Sequence, residues 1–148
     1  TLKALTALSE LSSPTFEIAI VIGPLFGREL AKQIAEAART LPHHCRLVEA
    51  PADLAMEMAW CDLAVSASGL TKYELAATGT PAILISIDTV HADMNQPFDS
   101  FGTSLHCGVA ANIGEIELAA AIDRLSSNAQ ERAAMSARGM AMVDGVRA

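Results

Sequence analysis

Aromatic side chains are scarce in this chain: 4% of 148 residues, with a single Trp and a single Tyr, against 51% hydrophobic residues overall. An interior so short of rings must be built from Ala, Leu, Ile and Val, which suits helices packed on a parallel sheet. Basic residues are also few, 10 against 17 acidic ones. The resulting net charge of −7 excludes the basic patch that a nucleic-acid surface needs. Cys45, Cys61 and Cys107 are odd in number and widely spaced. They form no disulfide framework, and a reducing cytoplasm is the expected location. His43-His44-Cys45 and His106-Cys107 lack the spacing of metal ligands, so no metal is expected. No apolar run reaches the roughly 18 residues of a membrane span, and no signal-peptide pattern opens the chain. Neither G-x-G-x-x-G nor a Gly-Lys-Ser/Thr loop occurs, which argues against dinucleotide cofactors and P-loop chemistry. No cofactor is expected.

What is present is alternation. Leu2, Leu5, Leu8 and Leu11 recur every third residue and predict a short amphipathic helix that Ser12-Ser13-Pro14 ends. Ile18 to Ile22 is an unbroken apolar run of central-strand length, followed by a Gly23–Gly27 turn. A helix with Leu30, Ile34, Ala37 and Leu41 on one face comes next, then a weakly signalled strand from Arg46 to Glu49. Pro51 is read as opening the following helix, with Asp53 in its first turn. Beyond Ala82–Ile87, the next strand, Asp88 to Gln96 reads as a polar loop and Pro97 to Gly102 as a short helix. Val109–Ala111 is expected as a fifth strand, and Asn112 to Glu115 as a variant capping box for a helix bearing Leu118, Ile122 and Leu125. A last helix runs from Ala129 to about Val143, ending at Gly145. The prediction is a single α/β domain, Rossmann-like, with a doubly wound parallel sheet in three layers. The chain opens at Thr1 without Met. Residues 1–14 are therefore expected to link residues 15–148 to a preceding N-terminal domain.

The stretch that organises the rest is Asp62 to Pro81, DLAVSASGLTKYELAATGTP. It reads as a strand end, a small-residue turn at Ser66–Gly69, and a helix closed by Gly79-Thr80-Pro81. In an open parallel sheet such a turn lies at the carboxyl edge of the strands, where ligands bind. The helix start offers unpaired N–H groups and partial positive charge to an anion, most plausibly a phosphate. Glu74 falls three and four residues after Thr71 and Leu70, so its carboxylate lies about 5–6 Å along the same face. That is the step from a phosphate to the hydroxyls of its ribose. Read alone, Glu74 is equally a solvated helix residue. Two further turns, Gly23–Arg28 and Asp88–Gln96, are expected at the same edge. Arg28 and Lys72 would there offset the charge of a diphosphate, and Gln96 would present donors and an acceptor to sugar hydroxyls.

Gly69-Leu70-Thr71, Tyr73-Glu74-Leu75-Ala76, Gly79-Thr80-Pro81 and Asn95-Gln96, in this order and spacing, resemble the C-terminal half of two-domain GT-B nucleotide-sugar enzymes. The nearer likeness is to the group holding the UDP-sugar hydrolase of pseudaminic acid biosynthesis and the spore-coat polysaccharide glycosyltransferase-like proteins. The transferase that makes lipid II from UDP-GlcNAc is more distant. The similarity runs from about Glu17 to Gly108 and is strongest between Asp62 and Gln96. It implies that Gly69, Leu70 and Thr71 hold the diphosphate, that Glu74 binds the ribose, and that Asn95 and Gln96 lie at the sugar. Gly23 and Arg28 are implied at the phosphates. Ser68 departs from the pattern, because many relatives carry Gly there.

The expected function is thus a UDP-sugar-binding domain of a glycosyltransferase-like enzyme, in surface or spore-coat polysaccharide synthesis and incomplete without its N-terminal domain. A UDP-sugar hydrolase and a non-catalytic module that kept the fold are the alternatives. Asp88, His91 and Asp93 are the titratable groups expected to face the cleft.

Overall fold

The computed structural model describes residues 1–67 and 69–143. Five strands, β1 (Glu17–Ile22), β2 (His44–Glu49), β3 (Ala64–Ser66), β4 (Ala82–Ser86) and β5 (Ser104–Val109), alternate with helices among these residues. The helices are α1 (Leu2–Ser9), α2 (Arg28–Thr40), α3 (Leu54–Trp60), α4 (Thr71–Ala77), α5 (Thr89–Ser100), α6 (Glu115–Ser126) and α7 (Ala129–Met142). Every strand pairing is parallel. β1 pairs with β2, and β4 lies between β3 and β5. The expected α/β, Rossmann-like architecture is the one observed.

The period of two along β4 builds the layers. Ile83 points into a core with Leu118, Ile122, Leu125 and Met135 of α6 and α7. Ala82 and Leu84 point the other way, onto Met58, Leu75, Ala76 and Phe98 of α3, α4 and α5. A third cluster packs Ile20 and Ile22 of β1 against Ile34 and Ala38 of α2. α1 joins the halves: Leu5 is buried in the β1 cluster, Ala7 in the α6 cluster, and Leu8 packs against both.

Several sequence expectations shift. The fifth strand is Ser104–Val109, earlier than Val109–Ala111. Its polar Ser104 and His106 obscured the apolar run, although Leu105, Cys107 and Val109 alternate with them. Asp53 is the N-cap of α3, accepting from Ala55 N–H at 3.0 Å, so Pro51 lies ahead of the helix. The cap of α6 is Gly114, and Glu117 rather than Glu115 reaches back to its N–H at 2.9 Å. α5 is the largest departure. The segment read as a loop is helical from Thr89 and continues through Pro97 to Ser100. Gly145 lies outside the described residues.

Candidate functional site

β3 and β4 are parallel neighbours in one sheet, so the turns that follow them open on the same edge, and β1 delivers its turn at the carboxyl end of its own parallel pair with β2. The β3 turn passes through Gly69 at φ +116°, a conformation that penalises any side chain, although a Cβ at this position would meet no neighbour within 4 Å. Backbone geometry, not crowding, fixes Gly there. Leu70 follows as the N-cap of α4 without a side-chain cap, and is 79% exposed. Its carbonyl accepts from Tyr73 and Glu74 N–H at 2.9 and 3.3 Å. The earlier N–H groups of the turn precede the first intrahelical bond and have no acceptor within the helix. Glu74 is exposed, and no described side chain hydrogen-bonds its carboxylate. Ser68 lies outside the described residues.

Gly23 is half-buried at the end of β1, and its carbonyl accepts from Phe26 N–H at 3.1 Å, closing the turn. Arg28 opens α2, exposed and unpaired among the described residues. Asp88 caps α5, accepting from His91 N–H at 2.8 Å. The same carboxylate oxygen lies 2.7 Å from His91 Nδ1. The bond from the backbone amide, then that from the ring, holds the Asp88 carboxyl below its ordinary range. With Nδ1 engaged by Asp88, Nε2 is the ring nitrogen left for proton transfer. Asp93 is exposed on the same helix. Gln96 is exposed, and its Nε2 donates to Ser100 Oγ at 3.2 Å.

Lys72 does not face the edge. It is 2% exposed, and its ammonium donates to Asn95 Oδ1 at 3.0 Å and to the Met94 carbonyl at 3.1 Å. The expectation of a lysine offsetting a diphosphate from the open helix start is corrected: the ammonium lies inside, 5.6 and 5.4 Å from the ring centroids of Tyr73 and Phe98. Asn95 is fully buried. Besides receiving from Lys72, its Nδ2 donates to Ser86 Oγ at 2.9 Å, and Ser86 Oγ lies 2.8 Å from His106 Nε2. This chain of side chains from α4 through α5 and β4 to β5 was not read from the sequence. Ser86, a lone hydroxyl ending the apolar run AILIS, was its one available signal.

The histidines weighed against a metal do structural work. His43 Nδ1 accepts from Phe16 N–H at 3.3 Å, and Nε2 lies 3.0 Å from the Leu8 carbonyl, tying α1 to the sheet. Two concavities lie at the opposite end of β1 and β2, one around Glu17, His44, Arg46 and Trp60 and one around Ala38, Arg39 and His43. They hold no grouping suited to a phosphate and a sugar. The loop chemistry, rather than a concavity, is what locates the candidate site at the carboxyl edge.

This fold is shared with solved structures. Anabaena Alr3699/HepE, solved in complex with UDP-glucose, superposes with a TM-score of 0.78 at 18% identity, over 98% of this chain and 40% of that one. The glycosyltransferase VinC, solved with dTDP, gives 0.70 at 17% identity, over 97% of this chain and 33% of that one. The chain therefore spans two fifths or less of the length of either. No family model and no curated protein matches it.

Proposed function

We propose that this chain is the donor-binding half of a glycosyltransferase-like enzyme, taking UDP or a UDP-sugar at the carboxyl edge of its sheet. The single observation that carries the reading is the Glu74 carboxylate, exposed and unpaired among the described residues, one helical turn beyond the left-handed Gly69 turn. Two acceptor oxygens at that position suit a pair of vicinal hydroxyls, while the first-turn N–H groups suit a diphosphate. A fold shared with proteins solved in complex with UDP-glucose and dTDP supports it. Gly23, Arg28, Leu70 and Thr71 would complete the phosphate side and Gln96 the sugar side, with Asn95 acting from the interior. Ser68, which lies outside the described residues, is assigned to the phosphate side by the sequence resemblance alone. A uridine preference, a role in polysaccharide synthesis, a cytoplasmic location and an N-terminal domain reached through α1 belong to the same proposal.

Titration calorimetry with UDP tests it. The wild type binds, and Glu74→Ala loses about tenfold or more, the worth of a charge-assisted hydrogen bond. Unchanged affinity removes the ribose assignment.

One observation favours a second reading, hydrolysis of the nucleotide sugar: the Asp88–His91 pair places an oriented base on this chain. Water would then attack the anomeric carbon as His91 Nε2 takes its proton and UDP leaves. Release of free sugar from UDP-sugar without any acceptor, lost in His91→Ala, would establish it.

A further inference from the structure

The Lys72 ammonium is sealed from water, yet no described carboxylate pairs with it. Its partners are neutral: the Asn95 amide oxygen, the Met94 carbonyl and the faces of Tyr73 and Phe98 at 5.6 and 5.4 Å from Nζ. A buried charge is ordinarily paired, because desolvation without a counter-ion is costly. Burial accordingly lowers the pKa of this amine. Two of the hydrogen bonds have a fixed direction: Lys72 donates to Asn95 and Asn95 donates to Ser86, whose hydroxyl lies 2.8 Å from His106 Nε2. The chain spreads the polarisation of the ammonium without neutralising it. Lys72 is the second residue of α4, and its ammonium lies against Met94 and Asn95 of α5, the latter bonded to Ser86, the last residue of β4.

We propose that Lys72 is a positioning residue for ligand charge, a buried ammonium left without a counter-ion so that the phosphates of the bound nucleotide supply it. The proposal rests on the nucleotide-sugar reading above. It assigns the Lys72–Asn95–Ser86–His106 chain the task of holding that charge in place from within, with no contact to the ligand. Asn95 must then be an amide. An aspartate of the same shape would neutralise the ammonium internally.

The experiment uses Lys72→Met and Asn95→Asp beside the wild type, each first shown to melt cooperatively, and titrates them with uridine and with UDP. Both variants lose about tenfold or more for UDP, the worth of one unit charge felt through partly shielded protein, while uridine affinity stays put. A purely structural role would move both ligands together. Lys3, Lys32 and Lys72 are the only lysines, so side-chain NMR follows each amine in the free protein. Asn95→Asp raises the Lys72 titration toward the ordinary lysine value. Unchanged UDP affinity in both variants, or an unmoved Lys72 titration, overturns the role of Lys72 and leaves the site standing. Failure of the wild type to bind UDP instead removes the site, and the role with it.

Discussion

Asp88 carries two tasks with one oxygen, capping α5 and holding the imidazole of His91. Both bonds favour the ionised carboxylate, so its folded pKa lies below its unfolded one. Stability from this group is therefore present above the unfolded pKa and is lost as pH falls through the folded one. Asn caps a helix nearly as well but does not titrate there. The wild type should melt above Asp88→Asn at neutral pH, and the gap should close in acid. A gap of constant size across the acid range would rule out this linkage. The turn and the helix after it were legible because turn chemistry is local: Gly69 takes the left-handed conformation that favours glycine, and Glu74 falls within α4. Lys72 was misread because helical spacing gives the residue's position but not the path of a flexible four-carbon stem.

At the scale of the element, α5 shows how a helix can escape a sequence reading. Its inward positions are Asn95 and Phe98, while Val90 and Met94 are exposed. With a polar residue on the buried face and apolar ones outside, the hydrophobic period reads as noise. Pro97 looked like a boundary, although it lies inside the helix. α6 was legible because Leu118, Ile122 and Leu125 keep the helical repeat, whereas in α2 Ile34 is buried as read but Ala38, not Ala37, is the second buried position and Leu30 is exposed. The crossing of α7 over α4 depends on a missing side chain. A Cβ on Gly139 would lie 3.0 Å from the Ala76 carbonyl oxygen and 3.2 Å from its Cα. Backbone cannot swing aside as a side chain can. Gly139→Leu should cost about 1–3 kcal/mol in denaturant unfolding through overpacking, and should weaken UDP binding by displacing the helix that carries Glu74. A variant as stable as wild type would show that the helices separate freely.

Taken whole, the molecule is two hydrogen-bonded sheets joined through α1, whose Leu5, Ala7 and Leu8 enter two cores. Leu5→Ala removes a side chain buried among Ile20, Ile22 and Ile34. It should cost about 2–5 kcal/mol, with hydrogen-exchange protection falling first in β1 and β2 while β4 stays protected longer. Uniform loss across all strands would mean that α1 does not divide the molecule in this way. The doubly wound arrangement was legible from the alternation of short apolar runs with helical periods. The break between the β1–β2 pair and the β3–β4–β5 sheet was not, because strand order is a tertiary outcome with no local signature.

Trp60, the chain's one tryptophan, closes α3 half-exposed under the Arg46 guanidinium, 4.7 Å from the ring centroid. That end of α3 is remote from the loops that follow β3 and β4. Tyr73, the sole tyrosine, sits in α4 edge-on to Phe98. Nature has thus supplied two optical probes at different poles. Indole emission should report the melting of the β2 margin yet stay dark to nucleotide, whereas the phenol's near-ultraviolet dichroism should respond when the α4 end is occupied.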